Sequence, residues 1–174
     1  GCRFFDTRLA SSITMRGHEI MKQTKVLIEN KGYQVIYGDT DSTFVSLNGQ
    51  FSQQQADKIG HQLVDHINEW WTNHLRSEYN LNSILELEYE THYKKFLMPT
   101  IRGQETGSKK RYAGLIGEGE NERLIFKGLE SARTDWTPLA QEFQKTLYSM
   151  VFHGENQSEY ISGFVEQTTA GDLD

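Results

Sequence analysis

Two carboxylates stand one residue apart, at Asp39 and Asp41, within the sequence Tyr-Gly-Asp-Thr-Asp-Ser at positions 37–42. Strand-favouring residues flank this motif on both sides, and Gly38 beside the Asp-Thr-Asp run favours a turn where they meet. Two ionised carboxylates in so small a volume repel each other unless a cation lies between them. The spacing therefore allows a divalent-cation site at the tip of a hairpin.

The residue types around this pair indicate which cation it would suit. Oxygen ligands without a neighbouring His or Cys favour a hard ion such as Mg²⁺, which also binds substrate phosphates. The competing interpretation is structural, because aspartate is itself a good turn former. The pair alone does not distinguish a metal site from a simple turn.

Several other kinds of site lack their sequence signals. The six histidines include no His-x-x-x-His pair and no Cys/His cluster, so a zinc site is not expected. The chain contains neither a Gly-x-Ser-x-Gly elbow nor a Gly-x-x-x-x-Gly-Lys-Ser/Thr loop. Serine hydrolases and P-loop nucleotide hydrolases are therefore unsupported.

The composition limits the size and the location of the protein. The 174 residues suit one ordinary domain, or one compact unit with an appendage. Mean hydropathy is -0.64 and no apolar run approaches the roughly 20 residues of a membrane helix, so no membrane partner is expected. Cys2 is the only cysteine, which excludes an internal disulfide and favours the reducing cytoplasm. Because the chain starts without an initiator Met or a secretory signal, we expect it to be part of a longer protein.

Positive charge is concentrated in one stretch of an acidic chain. The net charge is -6, but residues 94–133 contain nine Lys or Arg against five Glu, whereas residues 134–174 contain one Lys against seven acids. A local basic surface attracts phosphates whatever the total charge, so this stretch is a candidate for binding a polyanion. A solvated strand face is the alternative.

Capping signals and periodicity predict the helices that must position these residues. Asp6 or Thr7 caps a helix that runs to about Lys31, directly before the acidic motif. A capping box at residues 52–55 begins a second helix, whose apolar stripe continues to about Leu75.

Strands follow in the middle of the chain. Residues 84–90 alternate apolar and acidic side chains, which is the pattern of a half-buried strand. Residues 109–116 and 123–126, separated by a Gly/Glu turn, predict a hairpin. The order of these elements predicts an α+β fold, with helices on one face of a mostly antiparallel sheet.

After residue 133 the chain becomes acidic and helical. Thr137 caps a helix that begins at Pro138 and ends at Gly154, and a shorter helix covers about residues 158–168. We therefore expect two subdomains, residues 1–133 around the sheet and residues 134–174 as the start of a helical subdomain.

Three segments, in this order, resemble conserved motifs of the family B DNA polymerases. They are the motif at residues 37–42, Lys-Lys-Arg-Tyr at residues 109–112, and the segment at residues 127–135 that begins Lys-Gly-Leu-Glu. One such motif is weak evidence, but three in order with compatible spacing are specific, and the resemblance covers nearly the whole chain. It implies that residues 1–133 form the C-terminal part of the palm and that residues 134–174 begin the helical thumb.

The resemblance also implies a mechanism and three catalytic acids. Asp39 and Asp41 would bind two Mg²⁺ ions, which activate the primer 3′-hydroxyl for attack on the dNTP and stabilise the leaving pyrophosphate. Glu88 matches a family acid that reaches the metal shell through water, although an ordinary solvent-facing strand glutamate is an equal alternative.

The basic motifs are expected to bind primer–template DNA through its backbone and minor groove. By resemblance, the residues with this role are Lys109, Lys110, Arg111, Tyr112, Lys127 and Arg133. The fingers, the exonuclease domain and the N-terminal domains of the family have no counterpart here, so we expect the chain alone to be inactive.

Two other functions remain open at this stage. The first is a Mg²⁺-dependent phosphohydrolase that uses Asp39, Asp41 and Glu88, which should release phosphate from small esters. The second is a non-catalytic nucleic-acid-binding module in which the acidic motif is only a turn.

Overall fold

The computed structural model describes residues 6–39, 41–100 and 110–173. The chain divides into two compact units, Gly1–Glu90 and Thr91–Asp174, and each contains helices and one small antiparallel sheet. The predicted α+β class is confirmed, but the described strands form two separate sheets where one was expected. The predicted division at residue 133 concerns palm and thumb and stays a prediction.

In the residues that the structure describes, the first unit consists of two long helices and a hairpin between them. Asp6 caps the first helix by accepting a hydrogen bond from the Arg8 backbone N–H, and Ser52 forms the predicted capping box with Gln55. Both predicted helices are confirmed, and the second runs one turn further than expected. The elements are α1 (Thr7–Asn30), β1 (Gln34–Gly38), β2 (Thr43–Ser46) and α2 (Gln53–Tyr79).

The core of the first unit lies where the two helices meet the hairpin. Leu27 and Ile28 of α1 are buried against Ile67 and Trp71 of α2, and apolar side chains of β1 and β2 pack on this cluster. The Trp71 indole N–H donates to the Thr24 hydroxyl at 3.3 Å, which satisfies its polar edge inside the core. This packing fixes the hairpin on the helices and so determines where its tip lies.

Residues 84–90, all described by the structure, do not form the predicted strand. Burial alternates as expected, with the acidic side chains exposed. In place of a β-ladder, the Asn68 side chain of α2 binds both backbone groups of Leu87, donating to its carbonyl at 2.9 Å and accepting from its N–H at 2.8 Å. The alternating pattern therefore reflects packing of an extended segment on a helix.

The described part of the second unit is a three-stranded sheet followed by two helices. Its strands are antiparallel in the order β3-β4-β5, and the predicted hairpin is confirmed as β4 and β5. Thr137 caps the next helix, Pro138 is its first residue and the left-handed Gly154 ends it, as predicted. The elements are β3 (Lys95–Leu97), β4 (Tyr112–Ile116), β5 (Arg123–Lys127), α3 (Pro138–His153) and α4 (Ser158–Ala170).

The core of the second unit joins the sheet to α3. Ala113 and Leu115 of β4 are buried together with Leu129, from the turn after β5, and Phe152 of α3. The helix that follows residue 133 is therefore packed on the sheet that precedes it. Across the described parts of the chain, every helix is too short or too polar to cross a membrane.

Candidate functional site

Asp39 and Asp41 lie at the tip of the β1–β2 hairpin, as predicted from the sequence. The Asp39 backbone N–H donates to the Ser42 carbonyl at 2.8 Å and closes the turn. Asp39 is half-buried and Asp41 is exposed, while Thr40 between them lies outside the described residues. The turn therefore carries both carboxylates at one end of the first unit.

A β-bulge in β1 precedes this turn. Val35 pairs with Val45, and the next pair along the hairpin is Tyr37 with Phe44, so Ile36 is an extra residue on β1. A bulge bends its strand and increases the local twist, which redirects the residues that follow. The rings of Tyr37 and Phe44 are 5.5 Å apart and pack together just before the turn. The direction of the carboxylates thus depends on a register change that the sequence pattern did not indicate.

The carboxylate oxygens at the tip could supply part of the coordination shell of a magnesium ion. Ser42 Oγ donates to Asp41 Oδ1 at 3.2 Å, and both acidic side chains offer oxygen ligands. Within the described ranges, no group of three or more His, Cys, Asp and Glu side chains is gathered to hold a metal ion. A pair of carboxylates still suits Mg²⁺, because this ion keeps several waters and takes further ligands from substrate phosphates.

Glu88 lies on the exposed face of the extended segment, next to the anchored Leu87. On its other side, the Tyr89 hydroxyl donates to Asp57 Oδ1 at 2.7 Å, and burial followed by this hydrogen bond raises the pKa of Tyr89. The Tyr89 ring also lies on Gly60, where an added Cβ would come within 2.3 Å of it. The backbone around Glu88 is therefore fixed on both sides while its carboxylate faces solvent.

The two basic motifs meet at one end of the second sheet. Tyr112, at the start of β4, pairs with Lys127 at the end of β5. Gly128 follows with φ +62°, and a Cβ at this position would lie 2.2 Å from the Lys110 carbonyl oxygen. Only glycine tolerates both this positive φ and such close contact with the Lys110 backbone, because it has no Cβ. The side chains of Lys110 and Lys127 are exposed at this end of the sheet.

The remaining predicted DNA-binding residues differ in their surroundings. Arg133 forms a bidentate ion pair with Asp135, with Nε–Oδ1 and Nη2–Oδ2 distances of 2.8 and 2.6 Å. Both side chains of this pair are more than half exposed, so it costs little to exchange the carboxylate for a phosphate. Lys109 lies outside the described residues.

Arg111 belongs to a hydrogen-bonded network that sequence reasoning missed. Its Nη2 donates to Glu130 Oε1, Gln144 Nε2 of α3 donates to Glu130 Oε2 at 2.8 Å, and the Ser131 backbone N–H donates to Gln144 Oε1 at 2.5 Å. Burial opposes ionisation of Glu130, but the hydrogen bonds from Gln144 and Arg111 prevail and its pKa lies below the ordinary value. The position of Glu130 inside the Lys-Gly-Leu-Glu motif was the one sequence signal for this network.

Comparison with known proteins assigns the chain to a family. Residues 1–171 match the family model described as DNA polymerase family B. The chain is 63% identical to DNA polymerase II of Escherichia coli (strain K12) over 173 residues, which cover 99% of this chain and 22% of that protein. It is 28% identical to the DNA polymerase alpha catalytic subunit of Mus musculus over 164 residues, 91% of this chain and 10% of that protein.

An archaeal relative shows the same relationship. The DNA polymerase of Pyrococcus horikoshii (strain ATCC 700860 / DSM 12428 / JCM 9974 / NBRC 100139 / OT-3) is 29% identical over 170 residues, 96% of this chain and 12% of that protein. The resemblance of residues 126–143 to bacterial DNA polymerase II, visible in the sequence itself, agrees with the Escherichia coli match. The prediction made from the three motifs is confirmed, and the chain belongs to DNA polymerase family B.

Proposed function

We propose that this chain supplies part of the active site of a DNA-directed DNA polymerase, which transfers nucleotides from dNTPs to a primer 3′-hydroxyl during DNA replication or repair. The observation that carries this proposal is the closed turn that presents Asp39 and Asp41 at the tip of an anchored hairpin in a family B chain. The neighbouring core and the closing backbone hydrogen bond keep the turn in place.

Asp39 and Asp41 are the proposed ligands of two Mg²⁺ ions, with Asp41, the more exposed of the two, as the more direct ligand. When bound, Mg²⁺ would activate the primer hydroxyl and neutralise charge on the leaving pyrophosphate. The two carboxylates hold negative charge at a fixed turn, and their repulsion favours a bound cation. Glu88 is proposed to act on this shell through water, because its backbone is anchored and its carboxylate faces solvent.

The basic end of the second sheet is the proposed surface for primer–template DNA. Positive side chains that contact phosphates give affinity that is independent of base sequence, and the minor groove offers similar acceptors at every base pair. We expect binding that weakens steeply with salt, since each phosphate contact lowers the slope of log K against log [salt] by about 0.9. The residues are Lys109, Lys110, Arg111, Tyr112, Lys127 and Arg133.

The remaining parts of the site are proposed to come from other segments of a longer polymerase. The chain spans 22% of the Escherichia coli relative, which leaves room for fingers, exonuclease and N-terminal domains. We assign residues 1–133 to the palm and residues 134–174 to the start of the thumb, and we place the protein in the cytoplasm, which a lone cysteine favours. The chain alone should show no primer extension.

The experiment is primer extension by the intact polymerase with Asp41→Asn, compared with Asp65→Asn as a control. Asp65 is an exposed aspartate of α2, so its substitution changes the charge equally. Asp41→Asn should lower kcat by at least about 10³-fold, because several kcal/mol of transition-state stabilisation are lost, whereas the Kd for DNA stays within about threefold. Equal kcat values for the two variants would contradict the proposed role.

A further inference from the structure

Glu130 lies between a proposed DNA-binding residue and helix α3. One of its carboxylate oxygens accepts a hydrogen bond from Arg111 Nη2, and the other accepts one from Gln144 Nε2 at 2.8 Å. Gln144 is held in turn by the Ser131 backbone N–H, which donates to its Oε1 at 2.5 Å. Because both oxygens are engaged, the carboxylate cannot rotate without losing a charge-assisted hydrogen bond.

Burial makes this network more than a surface ion pair. The Glu130 side chain is 20% exposed and the Arg111 side chain is 41% exposed. Arg111 Nε is buried and makes no hydrogen bond to any residue that the structure describes, so the exposed part of the side chain lies elsewhere. Glu130 uses one of the five guanidinium donors and the buried Nε–H is a second, which leaves up to three donors for an anionic ligand.

We infer that Glu130 is a positioning residue for Arg111. Together with Gln144 it holds the guanidinium so that a remaining donor meets a phosphate of the primer–template backbone, and it links this contact to helix α3. This inference rests on the proposed function, because it requires Arg111 to bind DNA. It assigns to the glutamate of the Lys-Gly-Leu-Glu motif a role that acts through a neighbouring residue and not by its own contact with the ligand.

The substitution Glu130→Gln gives opposite results under the two explanations of this glutamate. If Glu130 merely neutralises Arg111, removing the negative charge should tighten binding of a polyanion. If Glu130 positions Arg111, the same substitution should weaken the Kd for primer–template DNA by about tenfold, which corresponds to about 1.4 kcal/mol. The direction in which the Kd changes therefore distinguishes neutralisation of Arg111 from positioning of Arg111.

The experiment measures this Kd by fluorescence anisotropy at fixed salt, using the intact polymerase. The matched control is Glu142→Gln, which changes the charge equally at an exposed position of α3, the helix that carries Gln144. Gln144→Leu removes one support of Glu130 without a charge change and should weaken binding in the same direction, by less. Tighter or unchanged binding by Glu130→Gln, or equal effects of Glu130→Gln and Glu142→Gln, would overturn the inference.

A double-mutant cycle separates positioning from a general structural role. In the Arg111→Ala background, Glu130→Gln should change the Kd no further, although it still lowers the melting temperature. Additive effects on the Kd would overturn the inference. If Arg111→Ala weakens binding and Glu130→Gln does not, the inference fails while the proposed function stands. If Arg111→Ala leaves the Kd for DNA unchanged, the inference fails together with the assignment of Arg111 to DNA binding. Lys127→Ala then tests the rest of the proposed DNA-binding surface.

Discussion

The acidic hairpin tip and the basic end of the second sheet keep their charged groups in place by different means. At the tip, backbone hydrogen bonding closes the turn, and Asp41 stays exposed beside Ser42. At the basic end, side-chain contacts hold the charges, and Arg111 and Arg133 each pair with a nearby carboxylate. A rigid backbone suits a small ion with strict geometry, whereas paired cations suit a long polyanion that needs several adjustable contacts.

The largest effect on stability is expected where the two basic motifs touch. Gly128→Ala places a Cβ against the Lys110 carbonyl oxygen at a positive φ, so the backbone must shift. We expect a loss of about 2 to 4 kcal/mol in the free energy of unfolding, measured by urea denaturation. As a control, Gly163→Ala in α4, where nothing lies near the added Cβ, should stabilise by about 0.5 to 1 kcal/mol. Similar changes in the free energy of unfolding for Gly128→Ala and Gly163→Ala would show that the fold does not depend on the close approach of residue 128 to the Lys110 carbonyl oxygen.

The extended segment that carries Glu88 can be disturbed through Asn68, without altering any acidic residue. Asn68→Ala removes both hydrogen bonds to Leu87 and leaves its backbone groups unpaired. We expect a loss of about 1 to 3 kcal/mol in the free energy of unfolding. Asn73→Ala, at an exposed position of the same helix, is the control and should change stability by less than about 0.5 kcal/mol. An unchanged stability in Asn68→Ala would mean that the segment carrying Glu88 is held by its apolar contacts alone.

A smaller, pH-dependent effect is expected at the other end of the second sheet, away from the two basic motifs. His153 Nε2 lies 2.8 Å from Glu122 Oε1, and Lys94 Nζ lies 3.0 Å from Glu122 Oε2. Hydrogen bonds to Glu122 and then to the Ser149 carbonyl raise the pKa of His153, with Glu155 adding charge attraction, and the bond with His153 lowers the pKa of Glu122.

The pKa shifts of His153 and Glu122 determine how the stability from this pair changes with pH. The contribution of His153 is complete below its ordinary pKa of 6.5 and is lost as pH rises through its raised value. The contribution of Glu122 is present above its ordinary pKa of 4.5 and is lost as pH falls through its lowered value. His153→Gln should therefore lower the melting temperature most between about pH 4.5 and 6.5, and little at pH values well above this range. A difference from the unmodified chain that stays constant from acid to alkaline pH would contradict this account.

Local sequence signals predicted most of the fold. Caps at Asp6, Ser52 and Thr137 marked three helix starts because capping depends on residues only a few positions apart. The hairpin of the acidic motif and the hairpin of β4 and β5 were also predicted, since turn residues separate their strands. The family followed from three motifs in order.

Features that depend on distant partners could not be predicted. Alternation in residues 84–90 reports which side is buried but not whether a strand or a helix covers it, so the Asn68 contact was missed. The pairing of Glu130 with Gln144 joins a turn to the middle of a helix, and a glutamine in a helix carries no signal for such a contact. The bulge at Ile36 likewise depends on the register between two strands.

The most direct test of the central claim is where a metal binds in the working enzyme. Crystals of the intact polymerase with primer–template DNA, an incoming dNTP and Mn²⁺ in place of Mg²⁺ would locate the ions by anomalous scattering. We predict peaks about 2 Å from carboxylate oxygens of Asp39 and Asp41, with the dNTP phosphates as further ligands. Peaks elsewhere, with both carboxylates turned away from the phosphates, would contradict the account.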